Sequence, residues 1–288
     1  MNPTVAKVPD GVDIQELTIV ARKVLLDGLT ALKPHLNALT VVGAQAVYLQ
    51  TAEVPLAAAA YTSDGDLGVD PQQLADEPLL EQALRNAGFE RLQQHQPGLW
   101  GRTETVGDTT TKVELDLLIG QTLADGGSRS AKIQPHDRMA ARRVPGLEPA
   151  VVDRRPMIIT ALESSDDRRI RVHVAGAAAL LVAKAHKIHD RLNDSAARPD
   201  RLTNKDAGDV YRLIMGTRAG EVSDTFQALL ADPRVGDVTA TGLAYLREQF
   251  GGADTAGVRL AIEALVGSVP ENTIRAVAPA YIRVLPIP

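Results

Sequence analysis

Val41-Val42-Gly43-Ala44-Gln45-Ala46, then Thr62-Ser63-Asp64-Gly65-Asp66-Leu67, and further on Lys112-Val113-Glu114-Leu115-Asp116-Leu117-Leu118-Ile119 decide how this chain folds. The first string is a short apolar strand that ends at Gly43 and turns into a helix of small residues. In the second, Asp64 and Asp66 stand at i and i+2, so on an extended backbone both carboxylates point to one face and can converge on one hard cation. In the third, Glu114 and Asp116 take one strand face while Leu115, Leu117 and Ile119 take the other, acid on one side and core on the other. A strand-glycine-helix unit, an Asp-x-Asp pair and an acid on a later strand form a layout for metal-dependent phosphoryl transfer. Asp64, Asp66 and Asp116 would hold one or two Mg²⁺ ions, or Mn²⁺, against a triphosphate, with Asp116 as third ligand or as general base.

Around this nucleus the pattern predicts a helix capped by Asp13 that runs with apolar residues at helical spacing to Pro34. A strand over 39–42, a helix over 44–49 and a strand over 61–69 follow, then a helix over 71–86 with Pro71 in its first turn and Gly88 closing it. Strands are expected over 89–92, 99–105 and 110–119, with Gly107-Asp108 as a turn. Residues 121–149 have no clean period and read as a long loop with a short helix near 137–142, and residues 157–163 and 170–174 read as a hairpin. After Gly176 the chain is almost entirely helical. The fold class expected is α/β (α+β): a mixed-sheet domain over residues 1–175 followed by a helical domain over 176–288.

At 288 residues the chain can bury a large core, and its net charge of −5 gives no global attraction to nucleic acid or an anionic membrane. A polyanion would have to be met locally, and Arg129, Lys132, Arg138, Arg142, Arg143, Arg154, Arg155, Arg168, Arg169 and Arg171 crowd one region, diluted by six acids. The chain contains no cysteine, which excludes disulfides and thiolate metal sites. Lys7, Asp10, Asp13 and Glu16 interrupt any secretory apolar core, and no apolar run is long enough to span a bilayer, so a soluble cytoplasmic protein without membrane partners is expected. Aromatic residues are only 3% of the chain, which argues against base stacking on an aromatic platform.

A second constellation lies in the helical half. Lys184, Lys187 and Arg191 stand at i, i+3 and i+7, three cations along one helix stripe that can neutralise phosphates, or else a solvated face. His186 and His189 are at i and i+3 without the Glu that a zincin requires, and neither a Gly-x-Ser-x-Gly nor a Walker loop is present.

These residues together resemble the nucleotidyltransferase-like toxins of the AbiEii/MenT type from bacterial toxin–antitoxin and phage-abortive systems. Val42-Gly43-Ala44-Gln45-Ala46 with Thr62-x-Asp64-x-Asp66-Leu67 is similar to the first motif of that family, and Glu114-Leu115-Asp116-Leu117-Leu118 to its second. Lys184 to Arg191, followed by Lys205-Asp206-x-x-Asp209-Val210-Tyr211, resembles the helix-lysine and Lys-Asp-x-x-Asp motifs. The resemblance covers about residues 39–213. It implies a nucleotidyltransferase domain beside a helical domain, Mg²⁺ and nucleotide on the paired aspartates, and phosphates met by a helix lysine. On this reading Gly43, Ala44, Thr62, Lys184, Lys187 and Arg191 bind nucleotide, and Asp209 orients Lys184 or Lys187. It also implies an antitoxin as partner, and some members add nucleotides to tRNA 3′ ends and stop aminoacylation. The chain departs from the family pattern at Gly43-Ala44, where Gly-Ser or Gly-Gly is common, and at Ala59-Ala60-Tyr61, where a basic residue is common.

The function expected is transfer of an NMP from an NTP to an RNA acceptor, such as a tRNA 3′ end. The alternatives are a nucleotidyltransferase acting on a small molecule such as an antibiotic, and a non-catalytic module that binds a nucleotide or a protein partner.

Overall fold

Asp13 opens the first helix as its position predicts. Its Oδ1 accepts from the amides of Gln15 at 2.7 Å and Glu16 at 3.0 Å, satisfying two donors that the helix itself leaves unpaired. Helix α1 (Ile14–Ala31) buries Leu17, Ala21, Val24, Leu25 and Leu29. Gly28 belongs to the same face, and the reason is a close approach: a Cβ there would lie 2.4 Å from Cδ2 of Leu115.

The computed structural model describes residues 12–54, 62–127, 129–198 and 201–288. They form a mixed α/β fold with an eight-stranded mixed sheet and most of the helices in the C-terminal half. Two compact units divide them: residues 12–46 with 62–175, and residues 47–54 with 176–288.

In the first unit β1 (Leu39–Val42) runs directly into α2 (Gly43–Gln50), and β2 (Asp64–Val69) returns antiparallel beside β1. Then come α3 (Leu80–Asn86), β3 (Glu90–Arg91), β4 (Leu99–Val106), β5 (Thr109–Gly120), β6 (Arg142–Val144), β7 (Arg154–Thr160) and β8 (Arg169–Ala175). The sheet order is β3-β4-β5-β2-β1-β8-β7, with β6 pairing to the end of β5. The centre is built on parallel pairs, β2 with β5 and β1 with β8, and the flanks on antiparallel hairpins. Helix α1 covers one face, where Leu67, Leu115 and Leu117 are fully buried. Burying a leucine completely contributes about 1.5–3 kcal/mol, so this face holds the sheet together and leaves the other to polar residues.

Two expected elements differ. The helix predicted over 71–86 forms only at its end, Leu80–Asn86. Asp70 captures the amide of Gln72 at 3.1 Å in a turn, and Pro78 disfavours helical backbone in the residue before it, so winding begins only past the proline. The short helix expected near 137–142 is replaced by a tight turn, with Asp137 Oδ1 accepting from the Met139 amide at 2.8 Å, and by strand β6. Here β5 outlasts β4, and its free edge at Leu118, Ile119 and Gly120 recruits Arg142, Arg143 and Val144 in parallel.

The second unit contains α4 (Ala177–Asp194), α5 (Lys205–Gly216), α6 (Ala219–Ala231), α7 (Gly236–Phe250), α8 (Ala256–Ala264) and α9 (Glu271–Val284). Helix α4 packs on α5 and α7, α5 on α8, and α6 on α7 and α9, around Leu181, Tyr211, Phe226 and Phe250. Among the described residues no helix is long and apolar enough to cross a membrane.

Candidate active site

The register of the central strands places the acids. In the parallel pair of β2 and β5, Asp64 stands opposite Glu114 and Asp66 opposite Asp116. Side chains opposite one another in register share a face, so all four lie on the side of the sheet away from the core, in adjacent strands about 4.8 Å apart. Asp64 and Asp66 are half-buried, and Asp116 is more enclosed.

Gly43 completes the arrangement. Val42 is opposite Asp66 in the antiparallel pair of β1 and β2, so the junction from β1 to α2 passes directly over the Asp66 carboxylate. Gly43 adopts φ +65°, and a Cβ on it would lie 1.9 Å from Asp66 Oδ2. Only glycine combines that left-handed backbone with so close an approach. The strand-glycine-helix unit and the Asp-x-Asp pair, some twenty residues apart in sequence, therefore meet at one point.

Hydrogen bonds hold Asp64 in place. Thr62 Oγ1 donates to Asp64 Oδ1 at 2.7 Å, aiming the carboxylate. Gln45, in the first turn of α2, donates through Nε2 to the Asp64 carbonyl at 3.0 Å and accepts at Oε1 from Arg22 Nε at 2.6 Å. Arg22 in turn donates to the Thr160 carbonyl at 3.0 Å. It is buried, and burial pushes its guanidinium below its ordinary value. This chain of contacts ties α1, α2, β2 and β7 together around Asp64. Arg22 does not stand out in the sequence, and the roles of Gln45 and Arg22 depend on partners 19 to 138 residues away.

Asp116 has a basic neighbour that sequence reasoning also missed. Arg142 Nη2, on β6, donates to Asp116 Oδ2 at 2.8 Å. Among the described residues no group of three His, Asp or Glu side chains is gathered to hold one metal ion. Asp116 shares the face of Asp64 and Asp66 and is engaged by Arg142. The donor set nevertheless suits Mg²⁺ or Mn²⁺: hard carboxylate oxygens at Asp64 and Asp66, the latter packed against the Gly43 backbone where a Cβ would clash with it. Mg²⁺ is commonly held by one or two carboxylates together with substrate phosphates, without an all-protein cage.

The cationic stripe of α4 is engaged within the helical unit. Lys184 Nζ is buried between Asp206 Oδ1 and Asp209 Oδ2, each at 2.7 Å. Lys187 Nζ lies 3.1 Å from Asp206 Oδ1, and Arg191 Nη1 lies 2.5 Å from Asp206 Oδ2. Lys184 and Lys187 thus face one direction, as helical spacing requires, and that direction is α5. Burial alone would lower the Lys184 ammonium, but the charges of Asp206 and Asp209 overcome it and raise it above its ordinary value. Burial alone would likewise raise the Asp206 carboxyl, and the charges of Lys184, Lys187 and Arg191 hold it well below the usual range. Lys184, expected as a phosphate-binding cation, has 6% of its side chain exposed and two carboxylates on its ammonium. Asp209 accepts a hydrogen bond from Lys184. Asp206, which the sequence reading assigned no role, is the centre of the network.

The expected absence of a basic residue at Ala59-Ala60-Tyr61, and Tyr61 as the start of the strand, lie outside the described residues. A cavity of about 280 Å³ lined by Pro71, Leu123, Lys132 and His136 lies past the C-terminal ends of β2 and β5, the other end of these strands from Asp64. No protein-family model, curated protein or solved structure matches the chain.

Proposed function

We propose that this chain is a metal-dependent nucleotidyltransferase of the AbiEii/MenT-like kind, which transfers an NMP from an NTP to the 3′ end of an RNA such as tRNA. As a cytoplasmic toxin it would be restrained by an antitoxin protein. The observation that carries this reading is the meeting of Gly43 with the Asp66 carboxylate, beside Asp64 and in register with Asp116. A glycine junction that opens a helix against paired strand carboxylates suits a nucleotide triphosphate, because amides at a helix start favour phosphate oxygens.

Asp64 and Asp66 would hold a divalent ion, whose charge would neutralise that developing on the phosphates. The chain's own groups do the rest. Thr62 and Gln45 keep Asp64 from turning away, so the pair presents a fixed geometry. The backbone amides at the start of α2 would receive phosphate oxygens. The acceptor 3′ oxygen bonds to the α-phosphorus while the α–β bridging P–O bond breaks, and pyrophosphate leaves with the electron pair. Asp116, aimed by Arg142, takes the hydroxyl proton. Positioning and charge neutralisation supply most of the rate in this chemistry.

Glu114, in register with Asp64, adds negative charge to the same face and favours a second reading with a cationic small-molecule acceptor such as an aminoglycoside-type antibiotic. One assay separates the two. The purified protein is incubated with each α-labelled NTP, Mg²⁺ and either total RNA or the cationic small molecule. Label entering RNA supports the first reading, label on the small molecule the second, and no transfer with any NTP leaves only a binding module.

A further inference from the structure

Strand register carries a second set of charges onto the face that bears the carboxylates. Thr40 is opposite His173 in the parallel pair of β1 and β8, and His173 and Arg171 are opposite Pro156 and Ile158 in the hairpin of β7 and β8. Thr40 shares its face with Val42, and Val42 is opposite Asp66. Arg169, Arg171 and His173 therefore lie on the same side of the sheet as Asp64 and Asp66. An independent observation agrees: besides burial, the charges of Arg154 and Arg171 lower the His173 imidazole below its ordinary value, which places both guanidiniums near it.

The arginines of this hairpin are of two kinds. Arg168 is engaged by Asp27 and Asp166, and Arg154 by Asp70. Arg169 and Arg171 are exposed, and no carboxylate among the described residues is within ion-pair distance of either. Ile158, the register partner of Arg171, keeps 60% of its surface exposed, an apolar position beside the two cations. None of the exposed positions on this patch is aromatic, so it offers charge without base stacking. Residues at i and i+2 on a strand are roughly 6.6 Å apart, close to the spacing of successive phosphates in an extended strand. From strand spacings, Arg171 lies on the order of 15–20 Å from Asp66.

We infer that the exposed face of β7 and β8, through Arg169 and Arg171, binds the phosphodiester backbone of a single-stranded RNA several nucleotides before its 3′ end. This deepens the proposed function and rests on it for the direction of the strand. Recognition here is of the backbone and not of bases, so it is salt-dependent and tolerant of sequence.

The test measures anisotropy of a 5′-labelled single-stranded oligoribonucleotide with the full chain, in EDTA and without NTP, so that no transfer occurs. Arg169→Gln/Arg171→Gln is expected to weaken binding at least tenfold at low salt, and to reduce the slope of log affinity against log salt by about 1.4, roughly 0.7 for each lost phosphate contact. Its melting temperature should match that of the wild type, since both side chains are exposed. Arg169→Lys/Arg171→Lys should restore most of the binding, and Asp66→Asn should bind RNA as the wild type does. Wild-type protein that does not bind the RNA, a Gln variant that binds it with unchanged affinity and slope, or equal competition by a sulfated polysaccharide would each overturn the inference. If RNA binding depends on the arginines but no NTP is ever transferred, the transferase reading fails and the RNA-binding face stands.

Discussion

Two acidic pairs, Asp64 with Asp66 on β2 and Asp206 with Asp209 on α5, are placed in opposite electrical environments. The helical pair is almost fully buried, and Lys184, Lys187 and Arg191 converge on it. The strand pair is half-buried, and a hydroxyl, an amide and a glycine backbone are among the groups around it. A charge taken out of water must be matched by its own protein, and once matched it has little left for a ligand. One pair is thus neutralised inside its own unit, and the other lies half-exposed on a strand.

The comparison breaks most easily at Lys184. Lys184→Met leaves Asp206 and Asp209 buried without their shared ammonium, and the loss in unfolding free energy should be about 3–5 kcal/mol, read by urea denaturation. A variant with wild-type stability but impaired transfer would return Lys184 to the phosphate-binding role. The pH dependence sharpens the same point. Because the Asp206 carboxyl is held well below its ordinary value in the folded chain, its contribution is fully present above roughly pH 4 and is lost as pH falls further toward the folded value. The stability difference between wild type and Asp206→Asn should therefore be constant near neutrality and shrink in acid. A difference that grows in acid would contradict the network.

On the sheet, Gly43→Ala must adopt left-handed backbone and push the Asp66 carboxylate aside. A stability loss of about 1–3 kcal/mol is expected from calorimetry, together with loss of transfer. A fully active Gly43→Ala would show that the junction is not a phosphate cradle. The smallest effect belongs to Lys187→Ala. Half of that side chain is exposed at 49%, and screening leaves such a pair worth under about 1 kcal/mol, so its melting temperature should shift by only a few degrees.

The contrast also explains how much could be read beforehand. Strand β5, helix α1 and the Asp-x-Asp pair are legible because each depends on a period of 2 or 3.6 within a few residues, and β1 because it is a short, fully buried apolar run. The lysine stripe is legible as a stripe, but its partner Asp206 lies 22 residues beyond Lys184, and only the packing of α4 on α5 brings them together. Arg142 reaches Asp116 across 26 residues of irregular chain with no periodicity to follow. The helix expected over 71–86 fails at Pro78, a local signal outweighed by the apolar spacing around it. The strand carboxylates and Thr62 beside them were thus visible in the sequence, whereas the long-range pairings of Asp116 with Arg142 and of Lys184 with Asp206 were not.

The most direct test of the account measures NMP transfer to RNA and the unfolding free energy on the same preparation of Asp66→Asn, beside wild type. A half-exposed strand carboxylate that serves a ligand should cost nothing to the fold when neutralised, so stability should stay within about 0.5 kcal/mol of wild type or rise while transfer falls to background. Unfolding of Asp66→Asn, or transfer at the wild-type rate from a folded variant, would contradict the assignment of chemistry to the strand pair.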